Sequence, residues 1–230
     1  MKANSPLDET TRPIREPAFN APWTVMALIG VLIVAHAARV LAGVGVERFA
    51  LTGEDLRAGR WTPLISYLFV HASWAHVAMN AAFTLAFGAP VARYLGTGGR
   101  GAAAFFVFFL FCGAVAALAY AGLLGAEATL DGADRPWALV GASGAASGLL
   151  GAAARLIEGR GRLGPIGGRT VVGMTLAWIA VNAVLGLSGL TPGAAGLPVA
   201  WEAHVFGYAA GLLAIGPLAR LAGTGAPITH

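Results

Sequence analysis

Long uncharged runs, broken by short clusters of charge, set the pattern of this 230-residue chain. Six such runs occupy residues 17–38, 61–92, 101–126, 136–154, 170–201 and 203–219, and each is between 17 and 32 residues long. A bilayer's hydrocarbon core takes roughly 17–25 apolar residues per helix. The pattern therefore predicts six membrane-crossing helices, near 22–42, 73–92, 101–123, 141–157, 170–189 and 201–221. The fourth is short and rich in small residues. Segment 43–70 departs from the pattern, because Glu47, Arg48, Glu54, Asp55, Arg57 and Arg60 stand beside Phe49, Leu56, Trp61, Tyr67 and Phe69. Mixed charge with aromatics predicts a structured piece lying in the membrane interface. A polar outer loop with Glu127, Asp131, Asp134 and Arg135 is expected before the fourth helix, and a Gly/Pro-rich connection at 189–200 before the sixth.

Composition supports this reading. Charged residues make up 11% of the chain and hydrophobic ones 57%, where a soluble domain carries roughly 25% charge. Mean hydropathy is +0.71. An ordinary soluble domain is excluded. The one cysteine, Cys112, lies in an apolar run and reads as a small buried hydrophobe; no metal site or cofactor is implied. The pI near 9.8 does not point to nucleic acid, since the arginines form no patch with interleaved aromatics.

The basic residues follow the topology instead. With the N-terminus inside, the inner segments hold Lys2, Arg12, Arg15, Arg93, Arg100, Arg155, Arg160, Arg162, Arg169 and Arg220, against Arg39, Arg48, Arg57, Arg60 and Arg135 outside. Ten against five fits the positive-inside rule. Residues 1–20 carry Asp8, Glu9, Glu16 and three prolines, which reads as a disordered cytoplasmic tail rather than a cleaved signal peptide. The use of 14 Arg against one Lys suggests a GC-rich bacterial genome.

Polar side chains inside spans are costly and default to functional candidates. Here they are His36, His71, His76, Asn80, Ser143, Ser147, Asn182, Glu202 and His204. Spans two, four and six run the same way, and His76 with Asn80, Ser143, and His204 each fall in the first turns of one of them. They therefore share one layer just below the outer surface. Ser143, in Gly141-Ala142-Ser143-Gly144 at a helix start, can present a hydroxyl beside free backbone N–H groups. His204 can act as its general base. His76 and Asn80, four apart on one face, can donate hydrogen bonds to an oxyanion. Gly207 and Gly211 after His204, and Gly144, Gly148 and Gly151 after Ser143, allow the two helices to approach closely. Each feature alone has a plainer explanation: small-residue stripes pack helices, and a lone membrane His or Asn is often a bonded structural group. Convergence on one layer favours chemistry. Ser147 lies a turn deeper and reads as packing, His36 as structural or interfacial, Asn182 as interhelical bonding, and His230 as an exposed terminus.

Three motifs now resemble the rhomboid family of intramembrane serine proteases. His71-Ala-Ser-Trp-Ala-His76-Val-Ala-Met-Asn80 resembles its His-x4-His-x3-Asn, Gly141-Ala-Ser143-Gly144 its Gly-x-Ser-Gly, and Ala203-His204-x-x-Gly207-x-x-x-Gly211 its sixth-helix motif. The resemblance spans about residues 45–215. It implies an all-α, six-helix membrane domain over 21–222, with a short C-terminal tail at 223–230. It also implies a Ser143–His204 dyad without a third acid, and an oxyanion hole from the Ser143 N–H, His76 and Asn80. His71, Gly141, Gly144, Gly207 and Gly211 would support the site.

The expected activity is intramembrane serine endopeptidase, acting on transmembrane proteins with helix-breaking or small residues. The expected place is a bacterial inner membrane, with the site opening to the periplasmic side and with lipid as the surrounding partner. A catalytically silent, client-binding relative is the alternative. A small transporter is a further one, although its polar groups would be expected near the midplane. Three departures from the family pattern stand out. Thr62-Pro63 replaces an arginine that follows the tryptophan in many members, and Ala92 replaces a glutamate. Ser147 stands where an aromatic commonly rests on the catalytic histidine, with Phe206 and Tyr208 the nearby aromatics available instead.

Overall fold

The computed structural model describes residues 21–132, 136–188 and 200–224. The readings made for the 1–20 tail, for Asp134 and Arg135, for 189–199 and for the chain end including His230 fall outside the described residues. In chain order the elements are α1 (Trp23–Leu41), a 3-10 turn (Val46–Arg48), β1 (Leu51–Thr52), α2 (Gly53–Arg57), α3 (Pro63–Ser66) and a second 3-10 turn (Tyr67–Phe69). Then follow α4 (Trp74–Leu95), α5 (Gly99–Asp131), β2 (Ala138–Leu139), α6 (Ser143–Glu158), α7 (Arg169–Ser188) and α8 (Trp201–Leu221). Among the described residues, α1, α4, α5, α7 and α8 are each long and apolar enough to cross a membrane. The helix in the fourth predicted position, α6, has only 16 residues.

Burial is organised as in a membrane protein. Side chains such as Val34, Leu176, Val184, Leu187 and Leu213 lie exposed on the outside, while α6, built of Gly, Ala, Ser and Leu, is buried along most of its length. An apolar exterior around a core of small residues suits lipid, where close van der Waals packing drives helix association. α7 presents much of its surface outward; Val171 and Asn182 on it are buried, and Met174 and Trp178 pack partly against the core. α1 buries Val25, Leu28, Leu32 and His36, a single stripe at helical spacing.

The centre is α6, packed against α4, α5 and α8. A β-carbon added to Gly207 would run into the Gly144 carbonyl oxygen, and one on Gly211 into that of Gly148. On the other side, an added β-carbon on Gly144 would meet Ala116, and one on Gly148 would meet Cys112 of α5. The pairs 144 with 207 and 148 with 211 advance together, so α6 and α8 run parallel. Gly141 faces His76, and Gly88 faces Leu149, so α4 runs the same way. The N-terminal ends of α4, α6 and α8 therefore meet at one end of the bundle.

Segment 43–70 is structured. Thr52 caps α2 and forms a capping box with Asp55, whose carboxylate also holds Arg60 at 2.8 Å. β1 pairs antiparallel with β2, Leu51 opposite Leu139 and Thr52 opposite Ala138, so this segment is tied to the strand that leads into α6. One expectation is corrected. Glu127 and Asp131 belong to α5 rather than to a loop, because nothing breaks the helix before Gly132, which caps it in the left-handed conformation at φ 70°.

Candidate active site

Ser143 is delivered by a tightly held turn. Gly141 adopts φ +103°, a conformation open to glycine, and an added β-carbon would meet the His76 ring. The Gly141 N–H donates to the Tyr67 carbonyl at 2.9 Å, and the Ala142 N–H donates to His71 Nε2 at 3.4 Å. Tyr67 is itself anchored, its hydroxyl donating to the Gly113 carbonyl at 2.8 Å. α6 then starts at Ser143 with no side-chain cap, which leaves its first-turn N–H groups directed at the space beside the hydroxyl.

His204, the fourth residue of α8, lies directly over that hydroxyl. Its Nε2 is 2.8 Å from Ser143 Oγ. The glycine contacts between α6 and α8 make this distance possible, since any side chain between the helices would push them apart. Both residues are half-buried. The other ring nitrogen, Nδ1, is 2.7 Å from Asn182 Oδ1 on α7, and Asn182 Nδ2 donates to the Trp178 carbonyl at 2.9 Å. The Trp178 ring is tilted against His204, with centroids 6.4 Å apart.

The second row of predicted residues also gathers here. Asn80 is buried, and its Nδ2 donates to the His76 carbonyl at 3.1 Å. The His76 N–H is capped by Ser73 Oγ at 3.1 Å. His71 is fully buried, edge-on to His76 with centroids 5.1 Å apart and to His36 at 6.2 Å. His36 is buried against Trp74 at 4.6 Å, which gives it the ring partners that its sequence position did not disclose. Arg39 donates to the His71 carbonyl at 3.1 Å and to the Val44 carbonyl at 2.7 Å. Ser147 is buried and its hydroxyl donates to the Ser143 carbonyl at 2.7 Å.

A cavity of about 660 Å³ is lined by Ser143, His204, His76, Asn80 and Asn182 among apolar walls from Phe83, Trp178 and Trp201. The arrangement can transfer a proton from a serine hydroxyl to an imidazole and offer hydrogen bonds to a nearby anionic oxygen. Among the described residues no cluster of three His, Cys, Asp or Glu side chains is placed to hold a metal ion.

One feature differs from expectation and a second goes further than expected. The aromatic against His204 is Trp178, from α7, whereas the Tyr208 hydroxyl bonds Thr175 at 2.9 Å. Asn182 does bond one helix to another, but its partner is the site histidine. Sequence reasoning noticed Asn182 as polar in a span without finding that partner. The available signal was its spacing of four from Trp178, which puts both on one helix face.

A family model described as Rhomboid domain matches residues 58–221. The match covers α3 to α8, including His71, His76, Asn80, Ser143, Asn182 and His204, and the chain belongs to the rhomboid family. No curated protein matches it.

Proposed function

We propose that this rhomboid-family membrane protein is an intramembrane serine endopeptidase in which Ser143 is the nucleophile and His204 the general base. The observation that carries the reading is the 2.8 Å contact between Ser143 Oγ and His204 Nε2, at the heads of two helices packed glycine against glycine. In this mechanism Ser143 Oγ attacks the scissile carbonyl carbon while its proton passes to His204 Nε2. The negative charge that develops on the carbonyl oxygen is taken by the Ser143 N–H, His76 and Asn80. His204 then returns the proton to the leaving amine, and a water, activated by the same nitrogen, hydrolyses the acyl-enzyme. Gly141 supports the oxyanion donors by letting His76 approach, His71 by holding the turn through Ala142. Gly144, Gly207 and Gly211 set the dyad's spacing.

We read α1, α4, α5, α6, α7 and α8 as six spans with both termini cytoplasmic. The cavity then opens to the outer face of a bacterial inner membrane, where water can enter. An intact transmembrane helix shields its peptide bonds in internal hydrogen bonds. Substrates are therefore membrane proteins with helix-breaking or small residues near that face.

The test is cleavage of a single-span reporter in liposomes by wild type, Ser143→Ala and His204→Ala. Cleavage by wild type alone is expected, and cleavage that survives Ser143→Ala overturns the reading. The second reading is a silent, client-binding relative. Neither reacting group is missing, and the hydrogen bond between them is the specific observation against it.

A further inference from the structure

We propose that Asn182 is the positioning residue of this site: it holds His204 in the tautomer whose Nε2 is bare and can accept the Ser143 proton. The inference rests on the protease reading above and adds to it a third member from a different helix.

The assignment follows from donor and acceptor chemistry. The Trp178 carbonyl can only accept, so the group 2.9 Å from it must be the Asn182 amide nitrogen. That fixes the carboxamide and turns Oδ1 towards His204 at 2.7 Å. An amide oxygen also only accepts, so His204 Nδ1 must carry the hydrogen. A neutral imidazole has one N–H, which leaves Nε2 without one, and the Ser143 hydroxyl donates to it across 2.8 Å. The chain Trp178 C=O, Asn182, His204, Ser143 therefore has one self-consistent direction. The reversed tautomer would set the Nε2 hydrogen against the serine and leave Nδ1 and Oδ1 as two facing acceptors.

Burial explains why the acceptor is an amide. Asn182 is 3% exposed on a helix that largely faces outward. A carboxylate there would place a charge on an apolar span, where ionised groups are costly, whereas an amide orients the ring without one. The same helix face also supplies the Trp178 ring. With Ser147 too small to reach the imidazole and tied to the Ser143 carbonyl, α7 confines His204 by both a hydrogen bond and an aromatic face. The ring orientation that an aromatic within α6 would give is obtained here from α7.

The experiment uses full-length protein in detergent, with histidine labelled by ¹⁵N and the His204 signals assigned by their loss in His204→Gln. Long-range proton–nitrogen spectra at neutral pH report the tautomer directly, without any need for activity. Wild type should show Nδ1–H. Asn182→Leu should lose the fixed tautomer and react with a fluorophosphonate at Ser143 about 10–100-fold more slowly, the loss of one buried hydrogen bond, with kcat on a reporter reduced alike and KM within twofold. Asn182→Asp keeps an oxygen acceptor and should recover the tautomer, with a Tm lowered by the buried charge. An Nε2–H wild type overturns the proposal. So does Asn182→Leu with an unchanged tautomer and rate, or with a lowered Tm and an unchanged tautomer, which would make Asn182 helix glue only. Should Asn182→Leu fail to fold, the wild-type and Asn182→Asp spectra decide. A wild type that shows Nδ1–H yet neither cleaves nor takes the probe overturns the protease reading instead, while the tautomer data still decide the role of Asn182.

Discussion

Gly207 rests on the carbonyl of Gly144 with no room for a β-carbon between them. The obstacle is backbone, which cannot rotate away as a side chain would. Gly207→Ala should therefore separate α6 from α8 despite the better helix propensity of alanine. Overpacking of this kind costs about 1–3 kcal/mol, and a displacement near 1 Å costs on the order of 10²-fold in rate. Thermal melting in detergent and fluorophosphonate labelling of Ser143 should both register the change. An unaltered labelling rate would mean that His204 does not depend on this contact.

Ser143 and Ser147 should separate cleanly. Ser143→Ala is expected to abolish labelling and cleavage. Ser147→Ala removes a hydroxyl that serves only the Ser143 carbonyl, an effect of about 1 kcal/mol on stability, and should keep cleavage within a few-fold. Mass spectrometry of the labelled peptide locates the adduct, and an adduct on Ser147 would reverse the assignment.

His76 and Asn80 should act on the transition state rather than on substrate binding. Asn80→Ala and His76→Ala are each expected to lower kcat about 10²–10³-fold with little change in KM. Steady-state kinetics on a reporter substrate separate the two constants. A rise in KM at unchanged kcat would assign these residues to binding the ground state.

Segment 43–70 should loosen in acid. The hydrogen bond from the Thr52 hydroxyl is the chief cause holding the Asp55 carboxyl below its ordinary range, and Arg60 adds to it. A lowered folded-state value means that the stabilisation is present above the unfolded carboxylate value of about 3.9 and is lost as pH falls below that through the folded value. Limited proteolysis near Arg57 and Arg60 should accelerate over that interval. Asp55→Asn should be cleaved at the faster rate at neutral pH and show no such step.

Much of this molecule was legible because lipid tolerates few polar groups. Four polar positions on three parallel helices implied one layer, and the structure gathers Ser143, His204, His76 and Asn80 at one end of the bundle. The α6–α8 register was legible for a related reason, since glycines four apart mark a face whatever surrounds it. The role of Asn182 was not. α7 is apolar around nearly its whole circumference, so its periodicity does not encode which way it is turned, and the partner of its one buried amide depends on that rotation. The extension of α5 to Asp131 is hidden for the opposite reason, because charge ends an apolar run without ending a helix. The β1–β2 pair, at two residues per strand, left no alternation to detect.

The brevity of α6 acts as a ruler. Its 16 residues measure about 24 Å at 1.5 Å per residue, against roughly 30 Å of hydrocarbon and about 50 Å for the 33 residues of α5. With the Glu158 end of α6 placed at the inner surface, the shortfall falls at its serine end, and the depth of the Ser143 hydroxyl is set by a count of residues. One added helical turn would lift the hydroxyl by about 5.4 Å, to the level of the headgroups. The distance that water must travel to reach it is thus written in the length of a helix.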